Sequence, residues 1–268
     1  MQLDGNNLCV TALYDIGREA YDGRKWKDYL SWFEKILLLK TPFVVYGDST
    51  LRNWVMERRE GKPTLFIEQA LHDIPCYHYK EAVSSIINSD YFRKNVNQVH
   101  RLECNLPEYT LVIYSKLYWM MDAVSRIGNQ NTKVFWVDAG CSRFIDSRLY
   151  NTRFPDPVKT NLLGDKFFIQ VSRNYPDLIS SSSLPENYFW LAKPLTAAGF
   201  MGGSIATVSE VAREVKDIFE NEMLARGVVA TEENAIGAVM KRRPDMFLGV
   251  INSTGHPLQS IHMMGELA

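Results

Sequence analysis

The chain has 268 residues, 46% hydrophobic and 23% charged. That suffices for one large or two small soluble domains with a substantial core. Lysine and arginine number 30 against 31 aspartates and glutamates, a net charge of −1, which excludes an overall basic nucleic-acid binder but leaves room for a local basic patch.

In chain order, the start "MQLDGNNLCV" lacks the basic and apolar segments of a signal peptide, and the longest aliphatic run, residues 36–39, is too short to span a bilayer. Cys9, Cys76, Cys104 and Cys141 show no paired CxxC spacing, which speaks against a zinc cluster and for reduced thiols in a cytoplasmic protein. Residues 8–14 ("LCVTALY") read as a strand and 25–39 as an amphipathic helix with Trp26, Tyr29, Leu30, Phe33, Ile36 and Leu37 on one face. Strands follow at 42–47 and 64–69, helical spacing at 79–94, a long helix at 108–127 and a strand at 134–138. Strand–helix alternation predicts a parallel sheet covered on both faces, with ligands beyond the carboxyl ends of its strands. Polar stretches at 151–165 and 180–183 read as loops. Ser209 is expected to cap a helix ending at Gly227, Thr231 to cap another running to about Arg243, and 246–251 to form a short strand.

Several segments carry chemistry, each with a structural alternative. In "YDIGREAYDGR" (14–24), an arginine can grip a diphosphate and Tyr14 can stack on a base, while Asp–Arg pairs on a solvated loop explain the same residues. Lys116 either snorkels from an amphipathic helix or points at a phosphate beside Asp138. Asp138 ends an apolar strand, where a carboxylate is costly unless something cationic meets it. Gly199, Gly202 and Gly203 suit either close ligand approach or close helix–sheet packing. Glu232 and Glu233 complement a helix dipole, or serve as paired carboxylates that deprotonate a hydroxyl. His256, in the loop after the last strand, is either a metal ligand or a polar loop residue. No GxGxxG after a strand, GxxxxGK[ST] or GxSxG occurs.

Five segments in order, "TALYDIGR", "YLSWFEKILLLKTPFVVYGD", "WVDAG", "GFMGGS" and "TEEN", resemble the bacterial HtrL/YibB family across nearly the whole chain. That family is similar to nucleotide-sugar glycosyltransferases of the GT-A fold. The resemblance implies an α/β, GT-A-like architecture, a mostly parallel mixed sheet flanked by helices on both faces. Residues 1–268 would form one domain, with a nucleotide-binding half at about 1–140 and an acceptor and catalytic half at about 141–268. It implies donor contacts from Thr11, Ala12, Tyr14, Asp15, Arg18, Lys116, Asp138, Ala139 and Gly140, and a donor-sugar or acceptor pocket at Gly202, Gly203 and Ser204. A divalent cation, Mn²⁺ or Mg²⁺, is expected on Asp138 and His256, although Gly140 stands where such enzymes carry a second aspartate.

Glu233 is the first choice for the base of an inverting transfer and Glu232 the second. The implied reaction moves a sugar from a nucleotide-diphosphate donor, a UDP-sugar by preference, to a lipid-linked or surface-polysaccharide acceptor such as lipopolysaccharide or capsule. The alternatives are a non-catalytic nucleotide-sugar or glycan binder of the same fold, and a phosphoryl or nucleotidyl transferase. No nucleic-acid partner is expected. A basic–aromatic surface (Arg24, Lys25, Trp26, Lys27) suggests peripheral attachment to the inner membrane.

Overall fold

The computed structural model describes residues 7–127, 132–152, 154–174, 176–254, 256 and 259–265. The first half alternates as expected: β1 (Asn7–Leu13), α1 (Trp26–Ile36), β2 (Phe43–Gly47), α2 (Ser49–Arg58), β3 (Thr64–Glu68), α3 (Lys80–Ile87), α4 (Pro107–Ile127) and β4 (Lys133–Val137). The second half adds β5 (Phe167–Val171), β6 (Thr196–Ser204), α5 (Ile205–Asp217), α6 (Glu232–Arg242) and β7 (Phe247–Ile251), with short helical turns between them.

The seven strands form one sheet in the order β3-β2-β1-β4-β6-β5-β7. Every neighbouring pair is parallel except those of β6, which runs antiparallel to both β4 and β5. The architecture is therefore mixed α/β, mostly parallel and GT-A-like. Because successive side chains of a strand point to opposite faces, β1 sends Leu8, Val10 and Ala12 into one core and Cys9 and Leu13 into the other. The first core lies against α3, α4, α5 and α6, and the second against α1 and α2. All residues of β1 and β2 are buried, which is why they read as nearly unbroken apolar runs.

Some boundaries moved for identifiable reasons. The helical stretch at 79–94 breaks at Asn88, because Ser89 accepts a hydrogen bond from Phe92 N and caps a separate helix, Asp90–Asn95. Helix α5 is capped by Ser204, whose hydroxyl accepts from Thr207 N, and not by Ser209. It continues as a π-helical segment, Ile218–Met223, and ends at Gly227, whose φ of 68° is the left-handed geometry of a helix stop. Helix α2 was not legible, since Leu51 and Val55 are its only buried residues and leave a faint apolar stripe. Behind it, the buried Arg59 guanidinium donates to the carbonyls of Leu37, Leu39, Thr41 and Pro63 and to Thr64 Oγ1, tying the loops that enter β2 and β3. Cys9, Cys76, Cys104 and Cys141 are all buried free thiols. Among the described residues no helix is long and apolar enough to cross a membrane.

Candidate functional site

The sheet reverses its winding between β1 and β4, since β2 and β3 lie on one side of β1 and the later strands beyond β4. Loops leave in opposite directions at such a point and open a crevice at the carboxyl ends of the strands. A cleft of about 450 Å³ occupies that place. Its floor is the ends of β1 and β4 together with Ala197 and Gly199 of β6, whose antiparallel course brings its start to this edge. One wall comes from α4 through Tyr109, Val112, Ile113 and Lys116. Facing it are the loop after β1, from Asp15 to Arg24, and the turn after β4, from Asp138 to Phe144.

Lys116 is the electrostatic centre. Its side chain is buried, and Nζ lies 2.9 Å from Asp138 Oδ1 and 2.7 Å from Glu232 Oε1, over the Trp136 ring. Burial pulls a lysine's pKa down, but the two carboxylates outweigh it and hold this ammonium well above the ordinary range. Asp138 Oδ1 also accepts from Trp136 Nε1 at 2.5 Å, and Asp138 N donates to Gly199 O. Thus the cationic partner that a strand-end aspartate requires is a lysine from α4, and Lys116 lies buried between two carboxylates instead of snorkelling to the surface.

Glu233 lines the cleft and Glu232 does not. The two neighbours leave the first turn of α6 in different directions, so Glu232 goes to Lys116 while Glu233 Oε1 accepts from Ala198 N at 2.9 Å. Burial, followed by the nearby Glu232 carboxylate, raises the Glu233 pKa to about 8. The two carboxylates of "TEEN" thus have different partners. The second-choice base is a counter-ion set behind the cleft, and the first choice is a carboxyl group poised near neutrality.

Among the proposed donor residues, Ala12, Tyr14, Asp15, Arg18, Lys116, Asp138, Ala139 and Gly140 all reach the cleft. Thr11 does not line it, being fully buried one residue deeper in β1 beside Val45. Tyr14 is largely buried and stacked on Trp119 at 5.8 Å, which covers one face of its ring. Arg18 pairs with Asp22 at 2.8 Å and lies between the rings of Tyr29 and Tyr109.

The glycine-rich pocket is overturned. Gly202, Gly203 and Ser204 pair with Phe135, Val134 and Lys133, toward the amino end of β4 and away from the cleft. A Cβ on Gly202 would meet Val134 O at 2.1 Å, and one on Gly203 would meet Lys166 O at 2.5 Å. Close packing of backbones, not a ligand, demands these glycines.

The metal pair is not assembled either. His256 is not among the cleft residues; its ring packs against His262 at 4.6 Å, while Gly255 and Pro257 lie outside the described residues. Asp138 is then the single carboxylate of the proposed pair at the cleft, and its Oδ1 is engaged by Lys116 and Trp136. Among the described residues no three His, Cys, Asp or Glu side chains group closely enough to hold a metal ion. A divalent cation prefers several oxygen ligands, so this donor set does not fit a resident one.

The basic–aromatic segment at 24–27 divides. Arg24 and Trp26 line the cleft, Lys25 pairs with Glu19 at 3.6 Å, and Lys27 is exposed. Sequence reasoning missed Arg143. It lies within "VFWVDAGCSR", one turn past the strand end, where a cation beside a ligand-facing carboxylate was the available signal. Its guanidinium lies 4.4 Å over the Trp32 ring, and Nε donates to Gly140 O.

The chain shares 27% identity over 149 residues with Protein HtrL of Escherichia coli (strain K12). The matched stretch covers 52% of this chain and 52% of that protein, so only about half of the relative's length is spanned. The profile of the family described as "Bacterial protein of unknown function (HtrL_YibB)" matches residues 6–255, and with that extent of agreement the chain belongs to the HtrL/YibB family.

Proposed function

We propose that the protein is a glycosyltransferase that moves a sugar from a nucleotide-diphosphate donor, a UDP-sugar by preference, to a lipid-linked or surface-polysaccharide acceptor. The observation that carries this reading is the meeting of Asp138, Lys116 and Glu233 with the arginine-bearing loops at the switch point of the sheet. Such a crevice suits a nucleotide, and guanidinium groups match diphosphate oxygens. In the transfer, Glu233 as carboxylate takes the proton of the acceptor hydroxyl while that oxygen attacks the anomeric carbon. The bond from this carbon to the diphosphate breaks, configuration inverts, and the nucleoside diphosphate leaves with the electron pair. Cations on the cleft wall stabilise the charge that develops on it. Peripheral attachment to a membrane belongs to the same proposal, because a lipid-linked acceptor is presented there.

Incubating the protein with a panel of nucleotide sugars tests the reading through release of nucleoside diphosphate. Activity should rise with pH toward about 8 as Glu233 ionises. Glu233→Gln should lower the rate by about 10²–10⁴ and Asp138→Asn should also reduce it. Full activity in both variants would remove these residues from the mechanism. A non-catalytic nucleotide-sugar or glycan binder of the same fold is the second reading. It is favoured by the raised Glu233 pKa, which keeps most of this group protonated at neutral pH. Binding without turnover across a broad acceptor panel would select it.

A further inference from the structure

The cleft carries its positive charge on side chains at the very place where a metal ion was expected. Asp138 is paired at 2.9 Å with Lys116, which also pairs with Glu232 at 2.7 Å. At Gly140, where a second aspartate was expected, a Cβ would lie 3.4 Å from Arg143 Nη2. Arg143 has no ion-pair partner among the described residues, and the carbonyl it engages, Gly140 O, is met through Nε. Arg18, Arg24 and Arg143 all line the cleft, and partial desolvation, then the Arg24 charge and more weakly Arg18, lower the Arg143 pKa. Arg18 and Arg24 together share Asp22, at 2.8 and 3.5 Å. Two of the three cleft arginines are thus held by a carboxylate and Arg143 is not, while Asp15 and Glu19 also line the cleft. Lys116 and Trp136 hold Asp138 Oδ1, so a divalent ion would have only Oδ2 of this carboxylate and would share the cleft with the Lys116 and Arg143 charges.

We propose that the cleft binds the diphosphate of a nucleoside diphosphate without a metal ion, with Arg143 as the principal phosphate contact and Lys116, Arg18 and Arg24 completing the positive field. The inference rests on the nucleotide-donor reading above and replaces the divalent cation expected from the sequence. Arg143 suits the role because a planar guanidinium spans two phosphate oxygens and the Trp32 face limits the freedom lost on binding.

Calorimetric titration of the full chain with UDP, GDP, CDP and ADP, in EDTA and again in Mn²⁺, tests this. At least one nucleoside diphosphate should bind in EDTA, with an affinity that Mn²⁺ leaves unchanged. Arg143→Ala should weaken that binding about 10- to 100-fold, and Arg143→Lys, which keeps the charge but not the fork, should lie between. Because Arg143 is exposed, both variants should melt as the unsubstituted protein does. Binding that appears only with Mn²⁺, or metal-free binding untouched by Arg143→Ala in a normally melting variant, would overturn the inference and leave the donor reading standing. Absence of binding by all four nucleotides in both buffers would overturn the donor reading as well.

Discussion

At the scale of single residues, the cleft concentrates groups whose charge is set by one another. Lys116 is the only cation within ion-pairing distance of either Asp138 or Glu232 among the described residues. Removing one member of a buried ion pair strands its partner, so Lys116→Met should destabilise the protein by about 3–5 kcal/mol in denaturant unfolding. Lys116→Met combined with Glu232→Leu should recover part of that loss, and strict additivity would show that the pair is not coupled. Glu233 makes a pH-dependent contribution of definite sign. Its pKa rises from 4.5 to about 8, so between these values the folded chain holds a proton that the unfolded chain has released. Stability from this group is complete below about pH 4.5 and declines as pH rises toward 8. The melting temperature should therefore fall more steeply across this window in the unsubstituted protein than in Glu233→Gln, by a few degrees. Parallel curves would show that Glu233 titrates normally.

At the scale of elements, β6 has two unlike ends. Its first residues, through Gly199, form part of the cleft floor, while Gly202 and Gly203 press against neighbouring backbones and Ser204 caps α5. Gly203→Ala forces a methyl group to within 2.5 Å of Lys166 O and should cost about 1–3 kcal/mol or more. Ser204→Ala loses a helix cap and should cost about 1 kcal/mol. Neither should alter nucleotide affinity in the fraction that remains folded, as titration at low temperature would show. A specific loss of affinity would return these residues to a binding role. The "GFMGGS" motif was legible as something close-packed, but whether a ligand or a strand approaches it depends on which end of β6 meets the crevice. That is settled by the antiparallel pairing with β4.

For the molecule as a whole, β6 lies between β4 and β5, so the two halves expected on either side of residue 140 share one hydrogen-bonded sheet. Phe200, fully buried and stacked on Phe135 at 5.6 Å, belongs to one core and Trp119 to the other. Calorimetry should show one unfolding transition, lowered by Phe200→Ala and Trp119→Ala alike, each at a cost of about 3–5 kcal/mol. Two separable transitions would mean that the halves fold apart.

Local pattern was enough to read the strand–helix alternation, the long helix α4 and the two helices near the carboxyl end, because apolar spacing and caps are properties of neighbouring residues. It also marked Asp138 and Glu233. It did not mark Arg143 as the cation beside Gly140, bring Lys116 between Asp138 and Glu232, or separate His256 from the cleft. Lys116 and Glu232 are 116 positions apart and meet only because α4 and α6 pack on the same face of the sheet. The sequence by itself determined which charged residues exist and which elements carry them. Only the tertiary structure decided which charges neutralise one another, since pairing depends on distances that strand order sets and linear spacing does not contain.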